Sequence, residues 1–131
     1  MRDLLAVVLG GVAGTGARFA LDGVLLHEDD QFPLSTLIVN VIGAFALAYL
    51  VARVWPTAPS WLRAGLGVGL LGSFTTFSAV AVSLVSLSAA GQWIPAIAYP
   101  VATLALGLSA AWVGLRLGRP RGAVAIDEVD E

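Results

Sequence analysis

The sequence predicts an all-α integral membrane protein with four transmembrane helices, the third of them broken at mid-membrane. Three observations carry this. The 131 residues are 58% hydrophobic and only 12% charged, with a mean hydropathy of +0.88, whereas soluble domains carry about a quarter charged residues. The charges cluster, and the gaps between clusters approach the ~20 residues that a helix needs to cross a ~30 Å hydrocarbon core. Inside the third gap, the stretch GLLGSFTTFSAV (69–80) crowds glycine and hydroxyl residues into otherwise apolar sequence.

The first span, 4–21, is apolar except for Arg18, and the second, 34–52, has no charge at all. The third, 62–87, has only Arg63, at its edge, and the fourth, 94–115, has none. Trp55, Trp61 and Trp93 stand at span ends, where indole rings favour the membrane–water interface. Met1-Arg2 before a short apolar run could be taken for a secretion signal. Arg18 occupies the place of a small-residue cleavage site, however, and three full spans follow, so the segment reads as a span. Residues 1–118 are thus expected to form one transmembrane domain, and 119–131 a disordered polar tail.

Several function classes fall away. A net charge of −2 speaks against nucleic acid, and without cysteine there is neither a disulfide framework nor thiolate chemistry. His27 lies beside Glu28, Asp29 and Asp30 and reads as part of a solvated loop rather than a metal site. Every carboxylate lies outside the spans, whereas a proton-coupled pump needs an ionisable group within the membrane. That disfavours a small four-span solute exporter. No nucleophile–base pair is available for an enzyme.

What remains is neutral polar chemistry at helical spacing. Thr36 and Asn40 share a face of the second span, with Gly43 on the next turn. Tyr99, Thr103 and Gly107 repeat that interval in the fourth span, as Gly10, Gly14 and Arg18 do in the first. The glycines read as packing positions, since small residues let membrane helices approach. A mid-span amide at Asn40 is costly without a polar partner. In the third span, glycines are poor helix formers and hydroxyls compete for backbone groups. The expected result is one half-helix to about Leu71, an unwound turn around residues 72–76, and a second half-helix to about Leu87. Freed carbonyls at such a turn can hold a small cation. The competing arrangement is an unbroken helix whose hydroxyls bond back to the preceding turn.

Four segments in order, GGVAGTGARFAL, STLIVNVIGAF, GLLGSFTTFS and YPVATLALGLSAAWVG, resemble the Fluc (CrcB-type) fluoride channels over nearly all of residues 4–118. The resemblance implies an antiparallel dimer of four-span subunits in the cell membrane, with two fluoride pores. It also implies a structural sodium ion at the dimer centre, held here by the carbonyls of Gly72 and Thr75. The anion pathway would draw on Thr36, Asn40, Thr76, Phe77, Ser78, Tyr99 and Thr103. Arg18 matches the family's first-span arginine, as a part of the route or as a side chain snorkelling from the span end. Hydroxyls and an amide can donate hydrogen bonds to a small, hard anion. A phenylalanine edge is positive without adding a trapping charge.

One departure stands out. The family motif continues with a second phenylalanine, as in TTFSTF, but this chain reads TTFSAV, with Val80 in place of that ring. Arg2, Arg53, Arg63, Arg116, Arg119 and Arg121 fall on one side of a four-span topology, against Arg18 on the other. The positive-inside rule then predicts cytoplasmic termini in one orientation. An antiparallel dimer needs both orientations, so the expected partner is a related four-span chain inserted the other way.

Overall fold

The computed structural model describes residues 1–24 and 33–119. The acidic loop around His27 and the tail from residue 120 onward lie outside the described residues. Four helical runs are long and apolar enough to cross a membrane. They are α1 (Arg2–Val24), α2 (Leu34–Arg53), a composite third run (Ser60–Ala89) and a final helix (Trp93–Gly118). The third run divides into α3 (Ser60–Arg63), a π-helical stretch (Ala64–Leu71), α4 (Gly72–Phe74) and α5 (Ser78–Ala89). The final helix is α6.

The packing is pairwise. α1 lies along the first half of the third run, α2 along α6, and α5 also against α6. Glycine makes the first two contacts close. A Cβ on Gly10 or Gly14 of α1 would run into the carbonyls of Gly65 and Leu70, and one on Gly114 or Gly118 of α6 would crowd α2 near Phe45 and Tyr49. This is the small-residue packing by which membrane helices associate without a hydrophobic driving force between them. In the π-helical stretch, Gly65 and Gly69 let α1 approach closely, since a Cβ there would meet Ala6 and Val7. The Trp55 ring leans on that stretch, where a Cβ at Gly67 would meet it at 2.9 Å.

The third run is broken within the expected stretch, at its C-terminal end rather than at its glycine. Gly72 keeps helical angles (φ −64°, ψ −30°), and the chain first turns extended at Thr75 (φ −80°, ψ 156°). Helical geometry returns at Phe77 (φ −87°, ψ −31°). Thr75 Oγ1 donates back to the Leu71 carbonyl at 2.8 Å. The bond expected of an unbroken helix thus tethers the residue at which the helix stops.

The interior is small. Tyr99, Leu87, Val39 and Ser35 are the largest fully buried side chains, and Leu37, Val80, Leu87, Ala96 and Tyr99 form the apolar cluster between α2, α5 and α6. Most other large apolar side chains point outward, including Leu9 (70% exposed), Ile94 (83%) and Leu108 (71%). A soluble domain buries such residues; this bundle presents them all round.

Candidate functional site

The site begins at the break. A continuous helix would send the Thr76 N–H to the Gly72 carbonyl and the Ala79 N–H to the Thr75 carbonyl. Here the Thr76 N–H donates instead to Asn40 Oδ1 at 2.9 Å, and the Ala79 N–H to Thr76 Oγ1 at 3.3 Å. Asn40 Nδ2 completes the pairing by donating to the Thr76 carbonyl at 2.9 Å. The amide set in mid-span thus has its polar partner, which is the backbone that the break exposes. Since an amide nitrogen carries two hydrogens, one donor remains on Asn40 after the clamp is made.

The same diversions leave the Gly72 and Thr75 carbonyls without their helical donors. These are the two oxygens that the resemblance assigns to sodium. They lie beside an open cavity of about 330 Å³ lined by Asn40, Gly43, Gly67, Gly72 and Thr75, among others. Carbonyls of unwound membrane helices suit a hard monovalent cation, so the residues present fit that ion. Gly43 is required here for space, because a Cβ at that position would collide with the Thr75 methyl group.

Two further cavities meet at Thr76. One, of about 720 Å³, is lined by Arg18 and Asp22 of α1, Ser35 and Thr36 at the start of α2, Thr76 and Ser78 beyond the break, and Ser83 and Ser86 of α5. Thr76 Oγ1 and Ser78 Oγ lie 3.0 Å apart, and either can be the donor. With the Ala79 N–H already donating to Thr76 Oγ1, that hydroxyl pair keeps one proton for a ligand. The other cavity, of about 670 Å³, is mostly apolar and is lined by Asn40, Thr76, Phe77, Val80, Pro100 and Thr103, among others. Phe77 is 79% exposed there. The Asn40–Thr76 clamp therefore stands between a hydroxyl-lined space and an aromatic one.

Arg18, Thr36, Thr76 and Ser78 thus share the first cavity, and Asn40, Phe77 and Thr103 the second. Tyr99 lines neither. It is wholly buried, and its hydroxyl interacts with the side chains of Thr36, Ser83 and Thr103 behind the cavity walls. The Thr103 hydroxyl itself donates to the Tyr99 carbonyl at 2.9 Å. Spacing had not singled out Ser35, Ser83 or Ser86. The α5 signal was present all the same, since Ala79, Ser83 and Ser86 follow the three-and-four rhythm of one helix face.

Four apolar spans, one of them broken so that an amide and several hydroxyls face open cavities, define a multi-pass membrane protein. The profile described as "CrcB-like protein, Camphor Resistance (CrcB)" matches residues 5–115, and the chain belongs to that family. It is 40% identical over 111 residues to Fluoride-specific ion channel FluC 1 of Mycobacterium bovis, covering 83% of this chain and 84% of the relative. It is 41% identical over 119 residues to Fluoride-specific ion channel FluC of Pseudomonas putida, covering 88% and 96%. With Fluoride-specific ion channel FluC 1 of Geobacillus kaustophilus it shares 36% identity over 115 residues, covering 88% and 97%.

Proposed function

We propose that this chain is a subunit of a fluoride-selective channel that lets fluoride leave the cytoplasm passively and so lowers its cytoplasmic level. Fluoride gives up its water shell only to a set of good donors. The observation that carries the reading is the Asn40–Thr76 clamp, which leaves Asn40 one amide proton to donate, with Thr76 lining the hydroxyl cavity and both residues lining the cavity that holds Phe77. Thr36 and Ser78 supply further hydroxyls, Thr103 lines the second cavity with its proton held by the Tyr99 carbonyl, Tyr99 braces the wall behind them, and Arg18 draws anions to the first cavity. Neutral donors admit an anion without holding it, as conduction requires.

The working unit is an antiparallel dimer in the cell membrane. Phe77 and Gly72 are exposed on the single chain, as residues facing a partner would be. The sodium ion belongs at the centre of that dimer, on the Gly72 and Thr75 carbonyls of each subunit, where it supplies fixed positive charge and joins the two broken spans. Residues 1–118 make up the channel domain, with the tail beyond it. Fluoride efflux from liposomes reconstituted with the purified chain, whose subunits are free to pair in either sense in detergent, tests the function. Rapid efflux is the expected outcome, and retention of fluoride by liposomes that contain the protein contradicts it.

A second reading has its own support. Val80 is only 5% exposed and packs into the apolar cluster with Tyr99, so at this position the chain offers the route no ring edge. On this reading the chain is the architectural half of a heterodimer, and a partner provides the better pore. A severalfold rise in flux on Val80→Phe supports it; unchanged or lower flux removes it.

A further inference from the structure

We propose that Ser35 is a further donor on the anion route and forms, with the open first turn of α2, an entry station for a small anion in the hydroxyl-lined cavity. The inference rests on the chain being an anion conductor, but it comes from a different part of the structure. Ser35 is 1% exposed, and its hydroxyl has no hydrogen-bond partner, although it lines a cavity of about 720 Å³. A buried hydroxyl left without a partner is costly.

The other hydroxyls show why Ser35 differs. Thr75, Ser88, Thr103 and Ser109 each donate to the carbonyl four residues earlier, at 2.7–2.9 Å. Ser35 is the second residue of α2 and has no helical turn before it to accept such a bond. The same position gives it a second property. Pro33 at the N-cap of α2 offers no capping side chain, and a helix cannot satisfy its own first-turn N–H groups internally. The partial positive charge of a helix N-terminus favours an anion there.

The groups around the cavity are consistent with this sign. Among the described residues, Arg18 is the one cation in its lining and Asp22, one turn further along α1, the one carboxylate. The remaining polar lining is hydroxyl, with Thr36 on α2 and Ser83 and Ser86 on α5. An anion that meets Ser35 first would then find Thr36 on the same helical turn, and Thr76 and Ser78 towards the Asn40 clamp.

Two readouts test this on the purified full-length protein. In liposomes, Ser35→Ala should lower fluoride efflux at low fluoride about tenfold to a hundredfold, the loss expected when one hydrogen bond to a charged group disappears. Raising the fluoride concentration should recover much of that loss, because the defect is in capture. In detergent, exchange broadening of the fluoride ¹⁹F resonance should be strong for the unmodified chain and weak for Ser35→Ala. Ser109→Ala is the control, since its exposed hydroxyl is already bonded to Ala105; it should change neither readout. Equal efflux and equal broadening for Ser35→Ala and the unmodified protein would overturn the assignment. If the unmodified chain conducts no fluoride but its broadening still depends on Ser35, conduction fails and the station stands.

Discussion

At the scale of single residues, Asn40 is the side chain on which the account turns. It makes two bonds at 2.9 Å to the backbone of one residue 36 positions away, and each is worth about 1 kcal/mol net, with a larger penalty if a buried backbone group is left unpaired. Asn40→Asp keeps an acceptor for the Thr76 N–H but sets a carboxylate against the Thr76 carbonyl, and it adds a negative charge where an anion passes. Liposome efflux should therefore fall more than about tenfold for Asn40→Asp, and distinctly less for Asn40→Ser, the extra loss being Coulombic. Phe77→Ala should impair flux while leaving the dimer intact on size exclusion, because a ring that is 79% exposed leaves no cavity in the subunit core. Equal flux in all three variants would remove both residues from the pathway. The sequence showed that Asn40 needs a polar partner but not which one, since helical spacing is silent about a contact made across two spans. Ser35 was hidden for a related reason: its open bond depends on where α2 begins, and helix boundaries are read from sequence only to within a few residues.

At the scale of elements, the interrupted third run was legible from composition, and the location of its break to within a few residues. The expected turn over 72–76 includes Thr75, where the chain opens, but its glycine end at Gly72 is still helical. The break falls where α2 can supply a replacement partner for the backbone, which is a property of tertiary packing. The π-helical stretch was invisible, because its i→i+5 turn shows no distinctive apolar period. Packing separates the roles of two glycines. A Cβ at Gly14 would strike the Leu70 carbonyl, so Gly14→Leu should prevent α1 from seating and give aggregated protein on extraction. A Cβ at Gly72 meets only the Gly67 carbonyl, at an ordinary 3.6 Å. Gly72→Leu should then leave helical content by circular dichroism unchanged while abolishing the dimer, since the bulk projects toward the partner and the central ion. Normal assembly and conduction by Gly72→Leu would refute the placement of that ion.

At the scale of the whole molecule, the charge gaps alone were enough to count the spans, because a charge within hydrocarbon is expensive wherever the helix goes. The assembled bundle brings most of the arginines to one end. Asp3 beside Arg2 accepts a bond from the Ser60 hydroxyl at 3.2 Å, and Gly118 lies against Ala52 and Tyr49, next to Arg53. We expect this end to face the cytoplasm, so that a single-orientation chain needs an oppositely inserted relative to form an antiparallel pair. Single cysteines at Ser60 and at Gln31, labelled in intact cells, should give external labelling at Gln31 alone. Substantial labelling at both would mean dual insertion and would replace the heterodimer by a homodimer. The account's central claim, that the chain conducts fluoride selectively, is tested most directly in liposomes loaded with both potassium fluoride and potassium chloride. In detergent the subunits are free to pair in either sense before reconstitution. On addition of a potassium ionophore, with a selective electrode for each anion, fluoride should leave rapidly while chloride stays inside. Retention of both anions, or release of chloride as fast as fluoride, would contradict the account.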